Sequence, residues 1–275
     1  MKAALVTRFT ACLLAGALAA CANTGSGGPG DGTLQGSTTE LKTASDATSA
    51  DKRASIRLQL AIGYYTEHNY EVALDEVKQA LAARPDWADA YGVRALIYVG
   101  MGEMVLADEN YKRAISLAPR NPDLNNNYGQ FLCQVGRYDQ GLAQLEMALR
   151  DPMYQSPLLA KVNAGNCAVK MKNYELAERY LMDALRYDPD MPAIQEAMAR
   201  VYFARRDYTR AGFFINRLTT LQKPENMSAE ALWLAVRVER KLGEKATETS
   251  LVTQLRRRHP NSPEFAAFMR GAFDE

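Results

Sequence analysis

Self-similarity at a fixed period limits what this chain can fold into more than any other feature. Small residues recur at Ala73, Ala107, Gly141, Ala177 and Ala211, in steps of 34, 34, 36 and 34. A second small column follows seven residues later at Ala80, Ala114, Ala148 and Ala184, and another column precedes the first by three at Tyr70, Met104, Tyr138, Tyr174 and Tyr208. Prolines close the units at Pro85, Pro119, Pro189, Pro224 and Pro260. Small side chains are needed where two helix backbones approach most closely, and proline ends a helix because it lacks a donor and clashes with the preceding turn. Each unit therefore reads as a pair of antiparallel helices. Ala61, Ala95, Gly129 and Gly165 supply the small contact on the first helix, and Tyr64, Tyr98 and Tyr202 fill the volume between units.

The predicted fold is all-α, with six units starting near Ala54, Ala88, Pro122, Leu158, Pro192 and Ala229. The pattern resembles the tetratricopeptide repeat over roughly residues 54 to 262, and the resemblance implies a superhelix of helix-turn-helix repeats. Gly102-Glu103, Gly136-Arg137, Arg206-Asp207 and Gly243-Glu244 mark the turns inside the pairs. Repeat six is the weakest, since Glu248 stands where a small residue is expected. The register slips by two around residues 151–157, where two prolines demand a longer connection. Ser262-Pro263 reads as a helix start, and Phe265, Phe268 and Met269 form the apolar stripe of a capping helix. Residues 271–275 are expected to fray.

The amino end reads differently. Lys2 and Arg8 precede an uncharged apolar run, Phe9 to Ala20, too short to span a bilayer and fitting a secretory leader. Leu18-Ala19-Ala20-Cys21 resembles the bacterial lipobox, which implies cleavage before Cys21 and a diacylglycerol on its thiol. An ordinary leader that happens to hold a cysteine is the alternative. Ala22, in place of an aspartate, favours the outer membrane by resemblance to enteric sorting. From Ala22 to Ala50, 16 of 29 residues are Gly, Ser or Thr, which cannot bury enough surface to fold. The expected division is a leader at 1–20, lipidated Cys21 with a flexible linker at 21–53, and repeats with a capping helix at 54–275. Gly25 to Gly30 matches G-x-G-x-x-G, but no strand precedes it and no helix follows, so a nucleotide site is not expected.

Composition narrows function by elimination. A formal net charge of +1 gives no global argument for nucleic acid or an anionic membrane. His68 and His259 are the only histidines, which leaves no His-rich metal site. No nucleophile, base or metal constellation is apparent, so neither a catalytic residue nor a small-molecule substrate nor a cofactor is expected, and the chain reads as a non-enzyme. Arg256-Arg257-Arg258 reads as a solvated helix end that complements the dipole.

In a superhelix of this kind the first helices line the concave face. Its expected lining is Leu58, Ile62, Tyr65, Leu96 and Val99 in repeats one and two, then Asn126, Gln130 and Cys133, and finally Trp233, Arg237, Arg240 and Lys241. The groove thus runs from apolar through amide-rich to basic. A register shifted by one would instead make these residues core. The Asn125-Asn126-Asn127 run suits either a clamp on a peptide backbone or internal hydrogen bonds within the helix pair. Cys133 and Cys167 sit on first helices of adjacent repeats, where a disulfide needs Cα atoms within about 7 Å. The register slip is expected to put them on non-equivalent faces, as two separate buried thiols.

The lipobox, linker and six repeats together resemble the PilF/PilW family of type IV pilus biogenesis lipoproteins. The local text that carries the resemblance is Ala107 to Ala114, Leu124 to Leu132, the Asp151-Pro152-Met153-Tyr154 break and the ending Arg258 to Phe265. The resemblance implies a pilotin, which helps the pilus secretin reach the outer membrane and multimerise. Secretin subunits would then be the partner, and the lipid the link to the membrane. The long Gly/Ser/Thr linker departs from the family impression. The alternative is a tetratricopeptide lipoprotein that scaffolds peptidoglycan enzymes or envelope assembly.

Overall fold

The computed structural model describes residues 49–274, so the leader, Cys21 and nearly all of the Gly/Ser/Thr tract lie outside the described residues. Thirteen α-helices and one 3-10 turn, Pro224–Asn226, make up the described fold, without a strand. Twelve helices form six antiparallel pairs: α1 (Ser49–Thr66) with α2 (Tyr70–Ala83), α3 (Ala88–Met101) with α4 (Met104–Leu117), and α5 (Pro122–Gln134) with α6 (Tyr138–Leu149). The remaining pairs are α7 (Pro157–Lys170) with α8 (Tyr174–Leu185), α9 (Pro192–Ala204) with α10 (Tyr208–Leu221), and α11 (Ala229–Leu242) with α12 (Lys245–Arg258). A last helix, α13 (Pro263–Arg270), packs on α11. The result is an all-α tetratricopeptide superhelix.

Local chemistry places the boundaries. Proline occupies the first turn of α5, α7, α9 and α13, where its missing donor costs nothing. Asn121, Ser228 and Ser262 accept hydrogen bonds from backbone N–H groups of the helices they precede. The first helix begins at Ser49, ahead of the expected boundary at 54. Residues 50–53 are Ala, Asp, Lys and Arg, so good helix formers and an acid in the first turn extend the helix backwards. Each pair turns on one residue with left-handed backbone: His68, Gly102, Gly136, Lys172, Arg206 and Gly243, with φ between 59° and 83°.

The small columns lie at the helix crossings. Ala73, Ala107, Ala177 and Ala211 are wholly buried. At Gly129 a methyl group would fall 2.9 Å from the carbonyl oxygen of Gly141, and Gly141 is equally constrained by that of Gly129. The α5–α6 crossing therefore admits glycine on both sides.

Two expectations fail at the chain's irregularities. The slip at 151–157 does not separate the cysteines: Cys133 of α5 and Cys167 of α7 form a disulfide, with Cα atoms 5.3 Å apart. The extra residues are taken up in the loop, where the Asp151 carboxylate accepts from the Met153 N–H and Tyr154 is buried against Ala148 and Ala160. Equivalent positions across this junction are 36 apart, as at Gly129 and Gly165, so the two cysteines stand two positions out of equivalence and still meet between α5 and α7. The segment after α13 is also not frayed. Gly271, at φ 73°, turns the chain back so that Phe273 packs at a tilt against Trp233 and Asp274 pairs with Lys241. Within α13 the stripe is Phe265 and Phe268, while Met269 points to solvent.

Candidate functional site

Successive odd-numbered helices touch one another from α1 to α11, which sets them in one inner layer with the even-numbered helices outside. The candidate face is this inner layer, and it has three regions.

At the amino end, Ile62 is open to solvent, and Tyr65, Leu96 and Val99 are half-buried. Tyr65 leans on Tyr70 with ring centroids 5.9 Å apart, and burial, aided by Tyr70, raises its phenol above the ordinary pKa. Leu96 and Val99 pack on a core that contains Tyr111, Tyr128 and Phe131. Leu58 is not part of the open face. Ala54, Leu58 and Ala61 fall at i, i+4 and i+7, one stripe buried with Val77 and Ile97, and Ile62 lies off it.

In the middle, the amides work internally. Asn126 is 2% exposed, and its Oδ1 accepts from Asn163 Nδ2 at 2.9 Å, tying α5 to α7. Asn125 donates to the Pro119 carbonyl at 3.0 Å and to that of Asn121 at 2.7 Å. Gln195, at the same position of α9, likewise donates to the Pro189 carbonyl. These side chains satisfy the carbonyls left over at the proline turns, so the run is a structural device and Asn126 is withdrawn from the groove. Gln130 stays exposed on the wall of a cavity of about 380 Å³ that also contains Asn163, Asn166, Lys170, Arg200 and the disulfide.

At the carboxyl end a cavity of about 820 Å³ opens between α7, α9 and α11, with Tyr174, Arg200, Phe203, Arg206, Arg237 and Lys241 on its walls. The Arg237 guanidinium lies 4.8 Å over Phe203 and 5.6 Å over Trp233; burial, with Arg200 nearby, lowers its pKa. Trp233 is not open, because Phe268 and Phe273 cover it. Arg240 lies over Phe273 and also donates to Glu248 at 2.8 Å, which explains an acid at that small-residue position. Arg200 and Phe203 escaped the sequence reading, and Tyr174 and Arg206 entered it only as a repeat column and a turn. Aligning repeats four and five with repeat six would have shown cationic and aromatic residues on the same helical face.

Behind this face, Asp108 of α4 accepts from Lys112, from Tyr128 at 2.9 Å and from Arg137 at 2.8 Å. Burial opposes its ionisation, yet these three donors prevail and hold its carboxyl below the usual range. Burial and the same carboxylate push the Tyr128 phenol up to about 12.

Tetratricopeptide repeat models match residues 88–121, 110–143 and 162–225. The type IV pilus assembly protein PilF of Pseudomonas aeruginosa is 29% identical over 218 residues, which cover 79% of this chain and 85% of PilF. Among solved structures, PilW, a widely conserved type IV pilus biogenesis factor, aligns with a TM-score of 0.72 at 29% identity, over 81% of this chain and 100% of its own. The PilF structure from Pseudomonas aeruginosa aligns with a TM-score of 0.70 at 28% identity, over 82% of this chain and 100% of its own. This chain is a tetratricopeptide repeat protein homologous to PilF and PilW.

Tetratricopeptide repeats and the PilF/PilW likeness point to protein–protein interaction. Among the described residues no group of three His, Cys, Asp or Glu is placed to hold a metal ion. His68 bonds Tyr70 in a turn, and His259 bonds the Met227 carbonyl. No described helix is long and apolar enough to cross a membrane.

Proposed function

We propose that this protein is a pilotin: a lipid on Cys21 holds it at the periplasmic face of the outer membrane, and its repeats bind secretin subunits of the type IV pilus. The observation that carries this reading is homology to PilF and PilW over the whole length of both solved chains. The lipobox at Cys21 and the absence of a spanning helix among the described residues fit an acyl anchor. A disulfide suits an oxidising compartment. Ile62, Tyr65, Leu96, Val99 and Gln130 are the accessible part of the binding groove, an apolar strip suited to one face of a partner helix or an extended segment. A tethered binder also raises the local concentration of its client near the bilayer.

The test is to delete the gene, fractionate the envelope, and follow detergent-resistant secretin multimers. Loss of multimers from the outer membrane is expected, with recovery on returning the wild-type gene but not Ile62→Glu. Unchanged multimers in the outer membrane would turn the assignment toward scaffolding of peptidoglycan enzymes or envelope assembly. Cys21→Ser should leave the repeats folded and release the protein from membranes; continued membrane association would discard the lipid anchor.

A further inference from the structure

The cavity at the carboxyl end differs in chemistry from the apolar strip at the other end of the inner face. Five cationic residues line it, Lys172, Arg200, Arg206, Arg237 and Lys241, interleaved with Tyr174, Phe203 and Tyr208. The one carboxylate among its lining residues is Asp274, which enters from the segment after α13. Lys241 donates to Asp274 Oδ1 at 2.6 Å, and this bond, with Arg206 and Arg240 near, holds the carboxyl below its ordinary range. One residue earlier, Phe273 sits between Trp233, at 5.3 Å between centroids, and the Arg240 guanidinium, 3.8 Å from the ring centre. The acid of this aromatic–acid pair thus lines the cavity, with the ring packed just beside it on Trp233, while most of the cavity carries cations and ring faces. Arg200 is paired with Glu196 on its own helix at 2.5 Å; Arg206 is exposed in the turn before α10.

We propose that the inner face of repeats four to six binds an acidic peptide segment carrying an aromatic side chain, and that residues 272–274 occupy its entrance in the free protein as an internal stand-in for that ligand. The charge complementarity and the seated Phe273-Asp274 pair carry the inference, which stands without the pilotin reading. The cation–π contact from Arg240 and the face of Trp233 give the aromatic residue its place, and the lysine and arginine heads receive the carboxylates. The occupant is held by one short segment behind the left-handed Gly271, so it can lift without unwinding a helix, uncovering the edge of Trp233 as it leaves. If it covers the entrance nine-tenths of the time, the apparent affinity for an external peptide falls about tenfold.

The experiment uses the full mature chain, the same chain lacking residues 272–275, and a dye-labelled peptide copying residues 269–275, read by fluorescence anisotropy. The truncated chain is expected to bind the peptide at least tenfold more tightly than the full chain, and Phe273→Ala with Asp274→Ala to reproduce the gain. Lys241→Glu with Arg206→Glu in the truncated chain, and a peptide carrying Asp274→Lys, are each expected to abolish binding while the helical circular dichroism is retained. Equal affinity of full and truncated chains would overturn the internal occupant, and equal affinity for the Asp274→Lys peptide would overturn the acidic site. Vesicles of phosphatidylglycerol are the remaining arm: if the truncated chain binds them and not the peptide, the cationic face is a lipid surface and the proposal fails. Should truncation unfold the chain, the double alanine variant decides the same comparison. None of these readouts involves a secretin, so the outcome separates from that of the gene deletion.

Discussion

At the scale of single residues, the fold depends on a few side chains held under tension between burial and bonding. Asp108 is the clearest: its side chain is 18% exposed and accepts from three donors on two helices and a turn. A carboxyl whose folded pKa is depressed contributes stability above its unfolded pKa, and that contribution is lost as pH falls through the folded value. Asp108→Asn is therefore expected to lower stability by about 1–2 kcal/mol at neutral pH. The gap from wild type should begin to narrow as pH falls below about 4, the ordinary carboxyl value, and close only below the depressed folded value; urea titrations at pH 7 and pH 3 check for the narrowing. A gap of equal size at both values would mean that shape rather than charge matters there. The turns offer a second case. Gly102, Gly136 and Gly243 adopt left-handed backbone without strain, whereas Lys172 does so at φ 61° with a Cβ in the way. Lys172→Gly should stabilise by roughly 1 kcal/mol, read as a higher thermal midpoint, and a lower midpoint would show that its side chain outweighs the strain.

At the scale of helices, the amount legible in the sequence follows from how each boundary is specified. Starts at Ala88, Pro122, Pro192 and Ala229 were readable because proline and small-residue columns act locally. The early start at Ser49 was not, because a Ser/Thr-rich composition hides a short run of helix formers. The groove was half legible: Ile62 and Gln130 are open, but Leu58 and Asn126 lie one helical stripe away, in the core, and period alone does not resolve a stripe from its neighbour. The disulfide was not legible because it joins positions two residues out of equivalence on neighbouring inner helices, a meeting visible only in three dimensions. The close α5–α6 crossing, in contrast, is written directly in Gly129 and Gly141. Gly129→Ala should cost about 1–3 kcal/mol, since its methyl group would lie 2.7 Å from Leu145 and 2.9 Å from a backbone oxygen that cannot swing aside. Gly63→Ala is the control, with nothing within 4 Å of the new methyl group, and should stabilise by about 1 kcal/mol through helix propensity. Parallel chemical denaturation of both variants distinguishes crowding from propensity; equal shifts would deny the close crossing.

At the scale of the whole repeat domain, cooperativity is set by the weakest junction, because each repeat contacts its neighbours and stability passes along the stack through those interfaces. The junction of repeats three and four, joined by residues 150–156, lies at the middle of this stack. The Cys133–Cys167 disulfide crosses that junction, and Asn163 bonds Asn126 across it as well. A bridge closing a separation of 34 residues restricts the unfolded chain enough to contribute about 3–4 kcal/mol in the chain-entropy account. The bridge thus couples the half with the apolar strip to the half with the cationic cavity. Reduction with dithiothreitol is expected to lower the urea midpoint and to split one unfolding transition into two, with repeats one to three separating from repeats four to six. Circular dichroism reports both transitions together, while Trp87 and Trp233, one in each half, give fluorescence that assigns the phases after single Trp→Phe substitutions. A reduced protein that still melts in one step at the oxidised midpoint would mean that the inner helices are locked by packing alone, and that the bridge contributes nothing to holding the two halves as one cooperative unit.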